Sequence, residues 1–293
     1  MSYTVNLRQS HVSYKNAMDY KPVDYSVEGI RITRVPIKCG HPLYTEVADV
    51  FYAEVMTDEV CMMPIVPDGC NTVVVRSMDD EVSAFVCGSI NEIRKIEVHP
   101  GEIVYFVKFL PGIGHSLLNS TKEKMTNNVK KLSDCIRGFE QIEFAIRHEL
   151  PPVKVVEIIG TVINNVLSKE NHVYLIKFCT EKIIKNLGNI SVSALAEESG
   201  FTERHISKMF DVYVGLSPKS FSQIIRLQNT MKVISGRCDQ PLVDVAVAYG
   251  FFDHAHMNRT YNKFIHRSAG DFGHSCFSGL NYDDIDEYVD EIH

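Results

Sequence analysis

A chain of 293 residues, 45% hydrophobic and 23% charged, has the make-up of an ordinary globular protein and is long enough for two domains with separate cores. No stretch approaches the run of about eighteen apolar residues that spans a bilayer, and the opening MSYTVNLRQSHVSYK has no secretory apolar region; a cytoplasmic protein with no membrane partner is expected. The net charge of −7 speaks against a broadly basic, phosphate-coating chain, so the distribution of charge matters more than its sum.

In chain order, residues 30–35, 72–75, 82–86, 93–98 and 103–109 read as short strands, separated by turn chemistry such as Pro67-Asp68-Gly69 and His99-Pro100-Gly101. Short strands with turns between them predict a small barrel or sandwich, and residues 1–120 are taken as a β-rich sensing domain. After Pro111-Gly112 the apolar period becomes helical. Helices are expected near 127–148, 152–168 and 171–187, within a helical linker of residues 121–187. The second carries Val153, Val156, Ile159, Val162, Ile163 and Val166 at helical spacing, either a dimer contact or an intrachain core.

From residue 188 to 275 the order is helix, turn, helix, long helix, helix, turn, helix. Leu195-Ala196-x-x-x-Gly200-Phe201 followed by TERHISKMF is echoed about fifty residues later by Val245-Ala246-x-x-x-Gly250-Phe251 followed by FDHAHMNRTY. A small Ala where two helices cross, a Gly in a tight turn and apolar residues at helical spacing are what a helix-turn-helix demands. Ile206 and Phe210 lock the first copy, Met257 and Tyr261 the second. Counted from each Gly, the second copy carries one extra residue. Two ordinary helical hairpins are the plainer reading of either match alone; the repeat argues against it. Ser191 and Thr202 are placed as N-caps, and Ser217-Pro218 opens a connector helix whose Phe221, Ile224, Leu227, Met231 and Ile234 should be core, ending at Gly236.

Six acidic residues fall in the tail of residues 276–293, and their removal leaves a charge of about −1. Residues 188–275 hold nine basic and eight acidic side chains, with Arg204, His205 and Lys208 in one recognition segment and His254, His256 and Arg259 in the other. A bidentate guanidinium suits guanine O6 and N7, which fits Arg204, with Glu203 and His205 as an acceptor and a donor that switches with protonation. Lys208 and Arg259 suit phosphates. The DNA-contact set is Thr202, Glu203, Arg204, His205, Ser207 and Lys208 with Asp253, His254, His256, Asn258 and Arg259, set against a plain solvated polar face.

From about residue 190 to 272, SALAEESGFTERHISKMF, GLSPKSFSQIIRLQNTMKVI and DVAVAYGFFDHAHMNRTYNKF resemble the DNA-binding region of AraC/XylS-type transcription regulators. The resemblance implies a helical module whose two recognition helices enter successive major-groove segments. Its partners would be double-stranded DNA and RNA polymerase, activation being the commoner mode. It departs at Ile265-His266-Arg267-Ser268-Ala269, where the family has an aromatic-Gly-x-Ser-Pro stretch. PIVPDGCNTVVV, FVCGSI and VHPGEIVYFVKFLPGIGHSLL resemble, more weakly, the β-rich domain that precedes this module in bacterial regulators, loosely related to cupin-like sensory domains. The expected class is therefore α+β with two domains: an N-terminal β-barrel or cupin-like domain, a helical linker and a C-terminal all-α module with two helix-turn-helix motifs. A small-molecule effector and a homodimer go with that reading.

Catalysis and metal binding have little behind them. Eight cysteines never come closer than nine residues, and Cys39, His41, His99 and His115 stand apart with no His-x-His before residue 254. Cys39-Gly40-His41 is the nearest approach to an activated thiol. No cofactor, metal site or enzymatic role is expected. The alternative is a small-molecule sensor or cupin-like enzyme with a degenerate DNA-binding module.

Overall fold

The computed structural model describes residues 20–23, 26–41, 43–79, 81–118, 126–167, 171–235 and 240–275. The acidic tail and Gly236, with Cys238 and Cys276, lie outside the described residues. The N-terminal half holds strands β1 (Ile30–Arg34), β2 (Val47–Val55), β3 (Cys61–Ile65), β4 (Thr72–Met78), β5 (Glu81–Cys87), β6 (Arg94–Val98) and β7 (Ile103–Phe109), then a single turn α1 (His115–Leu118) and β8 (Val129–Lys131). β1-β2-β7-β4-β5-β8 form one antiparallel sheet and β3-β6 a second.

The small sheet lies over one face of the large one. Met63, Ile65, Ile96 and Val98 from the small sheet share a cluster with Phe51, Ala53, Val74, Phe85 and Phe106. Phe51 and Phe106 are register partners with rings stacked at 4.6 Å. The opposite face, carrying Val73, Val75, Val86, Tyr105 and Val107, joins the helical core. Burial on both faces explains why β4 and β7 read as unbroken apolar runs instead of alternating. The β-rich class is as expected, but closure into a barrel is not. β1 and β8 are the two ends of the sheet and do not pair with each other, so the arrangement is an open sheet with a hairpin-like layer on it. The sheet also draws its edge strand, β8, from beyond residue 120.

The helix expected at 127–148 is broken into β8, α2 (Leu132–Cys135) and α3 (Phe139–Arg147), with Ile136 extended between the two helices. Helix α4 (Pro152–Asn164) starts with proline in its first turn, where no donor is lost. Its stripe of Val155, Val156, Ile159, Val162 and Ile163 is buried inside the chain, while Val153 faces out. The apolar spacing that motivated a dimer contact is thus used by intrachain packing.

Helix α5 (Asn171–Lys185) packs against each of the next three helices: α6 (Val192–Ser199), α7 (Glu203–Tyr213) and α8 (Pro218–Ser235). Then come α9 (Leu242–Ala248), α10 (His254–Ile265) and α11 (Ala269–Ser275), the last against α8 and α10. In α8 the expected stripe of Phe221, Ile224, Leu227, Met231 and Ile234 is buried, and so are Ser222, Ile225 and Gln228, which widen it. The β domain meets this stripe at Phe221, whose ring lies against Gly69, and at Gln228. The Gln228 amide donates to the Pro67 carbonyl (2.7 Å) and accepts from the Val23 N–H (2.6 Å), as a buried amide requires. A single contiguous core runs from the sheet to Phe272. No helix among the described residues is long and apolar enough to cross a membrane.

Candidate nucleic-acid interface

Each recognition helix is started by a side-chain cap. The Thr202 hydroxyl accepts from the His205 N–H at 3.2 Å, and the Asp253 carboxylate from the His256 N–H at 2.6 Å. Ahead of each cap the chain turns through a left-handed glycine, Gly200 at φ 74° and Gly250 at φ 77°. At Gly200 a Cβ would meet open space, so only the backbone angle asks for glycine. At Gly250 a Cβ would also fall on the Asn189 side chain.

The caps resolve the extra residue of the second copy. Ile206 and Phe210 follow Thr202 by four and eight positions, as Met257 and Tyr261 follow Asp253, and all four side chains are buried. The insertion therefore lies in the turn, where Phe251 and Phe252 stand for Phe201. Phe251 goes inside, and Phe252 is left 88% exposed. From this register, Lys208 corresponds to Arg259, His205 to His256, Ser207 to Asn258, and Arg204 to Ala255.

The eleven residues expected to meet DNA fall into three groups. Glu203, Arg204, Ser207, Lys208 and Arg259 are exposed on the sides of α7 and α10 opposite the buried positions. Thr202 and Asp253 are the caps. The remaining four are engaged within the protein. His205 stacks on Phe201 at 5.0 Å, with its Nε2 turned away from solvent. His256 accepts the Phe252 N–H through Nδ1 at 3.3 Å and meets the Phe251 ring edge-on, closing a reciprocal cap with Asp253. The Asn258 carbonyl accepts from the Ala269 N–H at 3.0 Å, and its amide lies 3.4 Å from His254 Nε2. Residue type alone could not distinguish these groups, because the direction of a side chain depends on the turn before the helix.

Residues between the heads hold them together. The Arg226 guanidinium donates to the carbonyls of Gly188 (3.1 Å) and Gly250 (3.2 Å) and lies over the Phe251 ring, and burial lowers its pKa. The Tyr261 hydroxyl reaches the Thr230 hydroxyl on the connector at 3.1 Å. Lys263 donates to Gln223 at 3.0 Å, and burial together with nearby Lys219 lowers its pKa. The bond from Lys263 to Gln223 ties α10 to α8, and no motif in the sequence marks it.

The loop of residues 88–93 reaches the ends of both recognition helices, and Thr126 joins it at the first. The Ser89 hydroxyl donates to the carbonyl of Val214, the C-cap of α7, and the Thr126 hydroxyl to that of Gly215. The Ile93 N–H donates to the carbonyl of Phe264 in the last turn of α10 at 2.7 Å, and Glu92 faces His266 Nε2 at 3.7 Å. These bonds satisfy terminal carbonyls that the helices cannot. Among the described residues no group of three or more His, Cys, Asp or Glu is placed to hold a metal ion. His41 accepts the Leu43 N–H at 3.1 Å and packs on α4 at Gly160, while Cys39 is exposed.

A family model described as a helix-turn-helix domain matches residues 195–274, both copies of the repeat. The C-terminal segment is an AraC-type DNA-binding module. Transcription regulation is the function that goes with such a module. The chain is similar to the probable transcription factor PqrA of Proteus vulgaris, 24% identical over 98 residues, which cover 33% of this chain and 79% of that protein. It is also similar to the crystal structure of ToxT from Vibrio cholerae O395 at a TM-score of 0.41 and 8% identity, covering 86% of this chain and 99% of that one. Another similar structure is unsaturated fatty acid-bound ToxT from Vibrio cholerae strain SCE256, with a TM-score of 0.38, 8% identity and coverage of 73% and 94%.

Proposed function

We propose that the protein is a bacterial, cytoplasmic, sequence-specific regulator that activates transcription with RNA polymerase and whose β domain controls the AraC-type module. The observation that carries the DNA reading is the cap-aligned pair of recognition helices. They present Arg204 and Lys208 on one and Arg259 on the other, all exposed. Arg204, in the first turn of α7, is assigned to a guanine edge. Lys208 and Arg259, one turn further along at matching positions, are assigned to phosphates. Glu203 and Ser207 complete the polar surface of the first head.

Control by the β domain is supported by the loop of residues 88–93, which bonds to the C-terminal ends of α7 and α10. A small-molecule effector that shifted this loop would move the two heads relative to each other. A homodimer would have to use a surface other than the buried stripe of α4.

The test is selection of duplexes from a randomised library by the full-length protein, followed by titration at several salt concentrations. A bipartite preferred sequence is expected, with affinity falling as salt rises because phosphate contacts release counterions. Enrichment of no sequence, with binding indifferent to salt, would contradict the reading.

A further inference from the structure

We infer that the two heads read different chemistry: the first reads hydrogen-bonding base edges, and the second reads thymine methyl groups through Phe252 and Ala255. The inference rests on the DNA-contact reading above and concerns what the second half of the site contains.

The polar side chains at the start of α10 are already committed. Asp253 caps the helix, His256 is bonded to the Phe252 N–H, and Asn258 is bonded to the Ala269 N–H and lies beside His254. What remains exposed in the turn and the first two helical turns, apart from the Asp253 cap, is the Phe252 ring, the Ala255 methyl and the Arg259 guanidinium. At the matching points the first head has an exposed Arg204 where the second has Ala255, and Lys208 where it has Arg259. The first head's Phe201 is 39% exposed and stacked on His205, whereas the inserted residue leaves the Phe252 ring 88% exposed next to the helix start that enters the groove.

An 88% exposed phenylalanine beside a small methyl-bearing residue makes an apolar surface with no donor or acceptor of its own. In the major groove the apolar feature is the thymine C5-methyl, met by Ala and Phe side chains. Arg259 supplies the charge that holds this surface against the backbone.

The experiment uses the duplex recovered by selection with the full-length protein. Each thymine is replaced in turn by deoxyuridine, which removes the methyl group and leaves base pairing intact. Replacement at one or two positions in a single segment is expected to weaken binding about fourfold each, the worth of one buried methyl-sized group. In Phe252→Ser and Ala255→Gly, both at exposed positions, those same replacements are expected to have no effect, while in Arg204→Ala they keep their full effect. Uridine insensitivity at every position in the unsubstituted protein overturns the inference, and so does sensitivity that persists in both Phe252→Ser and Ala255→Gly. A selection that enriches no duplex overturns the DNA-contact reading itself, and this inference with it.

Discussion

His266 stands where the family resemblance asks for glycine, and its backbone takes the left-handed conformation that glycine would, φ 56°. A β-branched residue there is strained by roughly 1–2 kcal/mol, whereas glycine is not. Both substitutions lose the half-exposed contact to Glu92, so the difference between them isolates the backbone. Chemical denaturation is expected to show His266→Val less stable than His266→Gly by at least about 1 kcal/mol; equal stabilities would mean the turn relaxes. The cysteines give a second check. Cys39 is exposed, while Cys179 is buried and its thiol pushed up to about 12 by burial. Because the thiolate is the reactive form, alkylation of the native protein followed by mass spectrometry should label Cys39 and spare Cys179. At this scale the caps were legible in the sequence, since Ser191, Thr202 and Ser217 bond to the N–H groups their positions imply. The inward turn of His205, His256 and Asn258 was not legible, because it depends on the geometry of the turns that flank each recognition helix.

Five strands and the double helix-turn-helix were legible from apolar period and turn residues, but β2, β3 and β8 were not. β3 carries Pro64 and β8 is three residues long, so neither shows the β-branched alternation that marks a strand. The break of the first linker helix went unseen for a related reason, its first residues being recruited as the edge strand against β5. Helix α5 reads as linker in the sequence, yet Ile176, Cys179 and Ile183 are fully buried in the core it shares with α6, α7 and α8. A fragment of residues 171–275 is therefore expected to unfold cooperatively, at a clearly higher denaturant midpoint than a fragment of residues 190–275. Equal midpoints would show that α5 is dispensable to the module.

Across the whole molecule, one core joins the open sheet to both reading heads, so the β domain and the DNA module are not two independent bodies on a tether. The expected division into sensor, linker and module follows the order of the chain; the packing crosses it at Gln228, Ser89 and Ile93. Sequence patterns report local periods, and such long-range bonds leave no local trace. The central claim is that the exposed faces of α7 and α10 meet DNA, with Arg204 reading a base and Lys208 and Arg259 holding phosphates. Titration of Arg204→Ala, Lys208→Ala and Arg259→Ala at several salt concentrations, on the selected duplex and on a scrambled one, tests it most directly. Arg204→Ala is predicted to cost about 1–3 kcal/mol on the selected duplex and much less on the scrambled one. Lys208→Ala and Arg259→Ala are predicted to weaken both duplexes alike, each reducing the slope of log affinity against log salt by about one. Equal losses on both duplexes for Arg204→Ala would make it a backbone contact, and no effect from any of the three would place the DNA face elsewhere.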